Sequence, residues 1–232
     1  MLIGSGLLAQ AFAPPYYQND KVCIFAAGVS NSACSDAYEF ARERQRLSET
    51  LEHVKSLATF VYFGTCSIND PEAKDTPYVQ HKLAMEGLVS KHSGHLILRL
   101  PQVAGRTPNP HTLLNFLYAY ISRSESFPLW CNAKRNIIDV VDVVAITKCL
   151  LEDKTVRNTT INIANPINHS MTNIVSVMEK AIGKRAIYNI IERGSEFSID
   201  TSIILPLLGK AAVKFDDGYI ERVLGNYYGK AS

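Results

Sequence analysis

Ala58-Thr-Phe-Val-Tyr-Phe-Gly64 is apolar almost throughout and runs into Thr65-Cys-Ser67, and Pro77-Tyr-Val-Gln-His-Lys-Leu-Ala-Met-Glu86 follows after a short polar loop. A brief continuous apolar run is the mark of a strand buried on both faces, and a proline suits the first turn of a helix. The segment predicts a strand, a loop and a helix over Pro77–His92. On either side the pattern repeats. Lys21–Gly28 and His95–Leu100 are two more apolar strands, and residues 1–6 form a short buried strand entering a glycine turn. Leu7 to Phe12 starts a helix that Pro14-Pro15 stops. Ser35–Leu57 is a long amphipathic helix with Tyr38, Phe40, Ala41, Leu47, Leu51 and Val54 among its apolar positions. Apolar strands alternating with helices predict an α/β fold whose parallel sheet is covered on both faces.

Beyond Gly105 the pattern loosens. Helices are expected at Thr112–Ser122, Val140–Leu151 and Asn173–Ile182, and a short strand at Thr160–Ala164, before an aromatic-rich stretch from Phe215 to Tyr228. This half reads as a cap lobe packed on the sheet. The 232 residues are 47% hydrophobic and 20% charged, an ordinary composition for a globular protein. A net charge of +2 without a basic stripe argues against nucleic acid as a partner. The apolar first residues are too short for a signal peptide or a membrane span, so no membrane association is expected. Cys23, Cys34, Cys66, Cys131 and Cys149 are dispersed, with no CxxC or His/Cys cluster. No metal and no disulfide is expected, and a reducing cytoplasm fits best.

Two motifs carry chemistry. Gly4-Ser5-Gly6-Leu7-Leu8-Ala9 lies between a strand and a helix, where glycines permit a tight turn and close backbone approach to a dinucleotide pyrophosphate. Tyr78-Val-Gln-His-Lys82 places a phenol and an ammonium one helical turn apart on one face. A fixed cation beside a tyrosine favours the phenolate, and a hydroxyl from Thr65 or Ser67 would hold the same substrate oxygen. Donor, cation and orienting hydroxyl together suit alcohol–carbonyl interconversion. The competing readings are structural. Tyr78 and Lys82 also fit a half-exposed pair on an ordinary helix, and His81 reads as a surface imidazole. Cys66 reads as a small filler, Arg99 as a strand-end surface charge, and Arg135 as the partner of Asp139 or Asp142. Asp142 reads equally as a helix N-cap.

With Phe25-Ala-Ala-Gly28, Leu98-Arg-Leu-Pro-Gln-Val-Ala-Gly105 and Arg135-Asn-Ile-Ile-Asp-Val-Val-Asp142 added in this order, residues 2 to about 165 resemble the extended short-chain dehydrogenase/reductases, the NAD-dependent epimerase/dehydratases acting on nucleotide-sugars. The resemblance implies a Rossmann-like core over residues 1–105 with about 139–165, and a substrate-binding cap over 106–138 and 166–232. It implies NAD or NADP held by Gly4, Ser5, Gly6, Leu7, Leu8, Ala26, Ala27, Gly28 and Lys82. It makes Tyr78 the catalytic acid/base, Lys82 its partner and Thr65 the third member, with Ser67 as fallback. Gln102 and Arg135 would contact the sugar and the diphosphate of the substrate. A homodimer built on the helices at Ser35–Leu57 and Pro77–His92, and a place in polysaccharide precursor synthesis, follow from the same resemblance.

The chain departs from that family at its front. Only the stretch from Gly4 to Ala26 stands where two further strands are usual, and Asp20 is the lone acidic candidate for reading the adenosine ribose. A sheet trimmed on the adenine side is expected. The expected function is that of an NAD(P)-dependent nucleotide-sugar reductase or epimerase. The alternative is a weak or inactive relative that binds a nucleotide-sugar or a partner enzyme without a tightly held dinucleotide.

Overall fold

Side chains alternate between the two faces of a strand, and both faces are apolar along the central strands of this chain. The computed structural model describes residues 1–13, 15–54, 58–153 and 155–229. The elements of its first half are β1 (Leu2–Ile3), α1 (Leu7–Phe12), β2 (Val22–Phe25), α2 (Ala37–His53), β3 (Thr59–Thr65), α3 (Pro77–Val89) and β4 (His95–Leu100). Then follow β5 (Gln102–Ala104), α4 (Leu113–Arg123), β6 (Ser126–Trp130), β7 (Lys134–Arg135), β8 (Ile137–Asp139), α5 (Val140–Glu152) and β9 (Thr159–Asn162). The chain closes with β10 (His169–Ser170), α6 (Met171–Ile182), β11 (Ile187–Ile191), α7 (Leu208–Ala211) and α8 (Tyr219–Tyr228).

Five strands form one parallel sheet in the order β1-β2-β3-β4-β9. Cys23, Phe25, Phe60, Tyr62 and Ile97 point to the face covered by α2 and α3, where they meet Leu47, Met85 and Val89. Ile24, Val61, Phe63, Leu96 and Leu98 point to the other face and pack with Phe12 of α1 and Val143, Ile146 and Leu150 of α5. Among the described residues β1 pairs only with β2, so the first strand is an edge rather than the centre of the sheet. This is the trimmed front: the space beyond β1 is walled by no strand among the described residues.

The second half gathers α4, α6 and α8 around Leu114, Leu117, Ile121, Phe127, Ile174, Met178, Ile220 and Leu224. Three short strand pairs, β5–β8, β6–β11 and β7–β10, join this layer to the sheet. β5, β7, β8 and β10, of two or three residues each, are too short to show a period in the sequence. Ile204 and Val213 from the C-terminal stretch return to the core of the sheet.

Helix α2 differs from expectation. Asp36 caps it by accepting the Tyr38 N–H at 2.8 Å, which fixes its start at Ala37. Leu57, its expected end, and Pro14 lie outside the described residues. Tyr38 is 72% exposed, and the buried stripe is Glu43, Leu47 and Thr50. A glutamate on that i, i+4, i+7 stripe is a signal that apolar periodicity alone passes over.

Candidate active site

The C-terminal ends of β2, β3 and β4 open onto one cleft of about 550 Å³. Crevices at this end of a parallel sheet are the usual ligand sites of α/β folds, and the volume suits a cofactor-sized ligand. Gly4, Ser5, Gly6, Leu7, Leu8, Ala26, Ala27 and Gly28 line it on one side, and Thr65, Ser67, Tyr78, Lys82 and Gln102 on the other. Gly4 has φ +128°, and a Cβ there would run into the Ala26 carbonyl. A Cβ at Gly28 would lie 2.5 Å from the Lys82 Nζ and 2.8 Å from the Glu43 Oε1. Both glycines keep the cleft open by letting backbone pass where a side chain would stand.

Thr76 caps α3 through its hydroxyl, which accepts the Val79 N–H, and Pro77 occupies the first turn. This places Tyr78 and Lys82 one turn apart on the inner side of α3, both buried. Thr65 ends β3 and accepts the Ser67 N–H at 3.1 Å. Thr65, Ser67 and Tyr78 line the same cleft, and the Thr65 side chain is the neighbour that favours ionisation of the Tyr78 phenol.

Lys82 is not a free cation beside Tyr78. Its Nζ donates to Glu43 Oε1 at 3.1 Å and to the Tyr62 hydroxyl at 3.2 Å. The Tyr62 O–H in turn donates to the same Glu43 oxygen at 2.8 Å. The other Glu43 oxygen accepts the Val29 N–H at 2.7 Å and bonds His81 Nε2 at 3.0 Å. Since an ionised carboxylate only accepts, the His81 Nε2–H is the donor of that bond. The His81 ring stacks on Phe40 at 4.4 Å, and its side chain is 7% exposed, so it is not the surface imidazole expected. An ammonium has three donors, and among the described residues two are used, which leaves one for a group in the cleft.

The electrostatics follow from burial. Burial pushes the Tyr78 phenol well above its ordinary range, the Glu43 charge pushes it further, and the neighbouring Thr65 side chain opposes both. This reverses the expected cation-driven lowering. Burial also pulls the Lys82 ammonium down, with the Glu43 charge opposing. Burial alone would raise Glu43. The His81 hydrogen bond, the Lys82 charge, the Val29 amide and the Tyr62 hydroxyl outweigh it and bring the carboxyl down to about 2. With that many donors Glu43 is the ionised member that anchors the pair. Cys66 is buried and its thiol is pushed up to about 12, which leaves it unreactive.

Arg135 lines a smaller adjoining pocket of about 120 Å³ that shares Ser67, Tyr78 and Gln102 with the main cleft. Its partner is Asp70 at 3.9 Å, not Asp139 or Asp142. Asp139 is the residue that caps α5, accepting the Val141 N–H at 2.9 Å, while Asp142 accepts the Tyr219 hydroxyl at 2.6 Å. Arg99 is tied to Glu86, with Nη2 2.6 Å from Oε2. Sequence reasoning passed over Glu43, Tyr62, Asp70, and the two guanidinium groups of Arg42 and Arg46 that line the main cleft. All five cysteines are free. Among the described residues no helix is long and apolar enough to cross a membrane.

A family model described as the NAD dependent epimerase/dehydratase family matches residues 12–164. Comparison with curated proteins gives no match. Among solved structures, UDP-glucuronic acid 4-epimerase from Bacillus cereus, in complex with UDP-glucuronic acid and NAD, superposes with a TM-score of 0.73 at 22% identity. That likeness covers 90% of this chain and 74% of the epimerase. The dTDP-glucose 4,6-dehydratase of Bacillus anthracis, in complex with NAD, gives 0.70 at 14% identity over 90% of this chain and 71% of its own. RMD from Pseudomonas aeruginosa, complexed with NADPH, gives 0.68 at 16% identity over 88% of this chain and 79% of its own.

Proposed function

Because this chain belongs to the NAD-dependent epimerase/dehydratase family, we propose that it interconverts an alcohol and a ketone on a nucleotide-linked sugar with NAD or NADP. The observation that carries this is the meeting of Tyr78, Thr65 and Lys82 in the cleft that also holds the Gly4–Leu8 and Ala26–Gly28 backbone. When bound there, the nicotinamide supplies or accepts hydride. The residues fit such a group. Gly4 and Gly28 keep the backbone bare where a dinucleotide must come close, and Lys82 has one N–H to spare for a ribose hydroxyl. Thr65 holds the substrate oxygen, and Tyr78 gives it a proton or takes one. Gln102 and Arg135 face the sugar and its diphosphate, the guanidinium suiting a pair of phosphate oxygens. Residues 1–105 with about 139–165 act as the dinucleotide core, and the remainder as the substrate cap.

The lining of the main cleft contains Arg42 and Arg46 and, among the described residues, no Asp or Glu. An acidic side chain suits a free ribose 2′-hydroxyl, whereas an arginine suits a 2′-phosphate. NADP is therefore the cofactor that this lining favours. The edge position of β1 favours a second reading, a relative that binds a nucleotide-sugar without a tightly held dinucleotide. Calorimetry with NAD(H) and NADP(H), and turnover across a panel of nucleotide-sugars for the protein and for Tyr78→Phe, separate the two. Binding of neither dinucleotide, or full activity in Tyr78→Phe, refutes the proposal.

A further inference from the structure

Among the described residues, Tyr78 has no unpaired lysine or arginine buried near it. Lys82 of α3 is paired with Glu43 of α2 at 3.1 Å, with side chains 4% and 1% exposed. Arg99 of β4 is paired with Glu86 of α3 at 2.6 Å. Arg135, which shares the smaller pocket with Tyr78, faces Asp70 at 3.9 Å. His81 of α3 donates to Glu43, and Tyr62 of β3 is a neutral phenol whose burial holds it well above the ordinary range. Cys34, on the loop before α2, adds no positive charge. Arg42 and Arg46 are exposed to water, where their charge is screened. Among the described residues the lysine and arginines packed around Tyr78 are thus each matched by a carboxylate.

Resting on the function proposed above, we infer that Glu43 is a positioning residue that neutralises Lys82, keeps Tyr78 a proton donor and sets the site to reduce a keto-sugar rather than to begin by oxidising an alcohol. An epimerase or a dehydratase of this kind must start with a base able to strip a hydroxyl proton, so it needs the phenolate. A ketoreductase starts with an acid and needs the phenol. In the reducing direction the carbonyl carbon accepts hydride, with its electron pair, from NAD(P)H. The carbonyl π pair takes the Tyr78 proton, and the products are the sugar alcohol and NAD(P)⁺. Tyr78 regains its proton from water in the open cleft. Glu43 also explains why Gly28 is bare, since the pair occupies the space a Cβ would fill. Through the Val29 N–H the same carboxylate ties the loop after β2 to α2.

The test uses Glu43→Gln, which keeps the shape and removes the charge. Ionisation of Tyr78 is read from tyrosinate ultraviolet absorbance of the ligand-free protein against pH, with Tyr78→Phe as the blank. In the wild-type protein Tyr78 should ionise above the ordinary tyrosine value of about 10. In Glu43→Gln its ionisation constant should rise at least tenfold, a fall of about one pH unit. The wild type should reduce keto-sugars with NAD(P)H and oxidise the matching alcohols poorly, and Glu43→Gln should gain in oxidation as its pH profile moves to lower pH. Unchanged Tyr78 ionisation in a folded Glu43→Gln overturns the assignment. So does a wild-type Tyr78 that ionises at or below the ordinary value, a measurement that needs no variant. Facile epimerisation by the wild type overturns the direction. Turnover in neither direction, with the ionisation shift present, overturns the proposed function and supports the role of Glu43.

Discussion

Replacing Lys82 with Met strands a buried carboxylate. The lost attraction at 3.1 Å is about 5 kcal/mol at an effective dielectric of about 20. Relief from burying the ammonium offsets part of that, and the Tyr62, Val29 and His81 donors still hold Glu43. Removing one partner of a buried pair costs about 3–5 kcal/mol, and we expect Lys82→Met to fall in that range by urea denaturation at neutral pH. Glu43→Gln leaves the ammonium stranded instead, and should cost about 2–4 kcal/mol. The double variant should cost less than the sum by at least about 2 kcal/mol, because the second change removes the charge that the first left unpaired. The pH dependence adds a second check. The folded Glu43 carboxyl lies at about 2 against an ordinary 4.5, so its contribution is complete above 4.5 and is lost as pH falls towards 2. Lys82→Met raises the folded value, so the gap between wild type and variant should be widest at neutral pH and close on acidification. A coupling within about 0.5 kcal/mol of zero, or a gap that does not change with pH, refutes the buried pair.

Tyr78→Phe should lower kcat about 10²–10⁴-fold while leaving dinucleotide binding within about twofold by calorimetry. Arg135→Ala should raise KM for the nucleotide-sugar about tenfold or more with a smaller change in kcat. Asp70→Asn, which frees the guanidinium now 3.9 Å away, should lower that KM. Arg46→Glu should weaken NADPH binding by at least about tenfold and NADH binding much less, since only NADPH carries the 2′-phosphate. Gly4→Ala should destabilise the fold by about 1–3 kcal/mol in urea and weaken dinucleotide binding, because φ +128° and the Ala26 carbonyl exclude a Cβ.

Much of the sheet was legible from the chain. His95–Leu100 and Leu7–Phe12 are observed as expected, and the other core strands and helices agree within a few residues at each end. The small strand pairs of the second half were not legible. β6 and β11 gain their pairing from each other, and every residue of β11 is exposed. At the site, Tyr78 and Lys82, with Thr65 or Ser67, could be singled out from the chain because their spacing is local: two lie one helical turn apart and the hydroxyls stand at the end of the preceding strand and just after it. Glu43 was passed over because its helix was read for its apolar residues.

Apolar runs, turn glycines and helix caps act over a few residues, so the sequence by itself determined the parallel core, the Gly4–Ala9 turn and the Tyr78-x-x-x-Lys82 face. The charge state of that face was decided only in three dimensions. Glu43 reaches Lys82 across 39 residues and Tyr62 across 19, and Arg135 meets Asp70 rather than the carboxylates nearest to it in the chain. Coulomb attraction and desolvation depend on distance through space and on depth of burial, and neither is written in the spacing of residues along a chain. The tertiary structure therefore turned an expected tyrosine–lysine couple into a buried phenol beside an ammonium paired with a carboxylate.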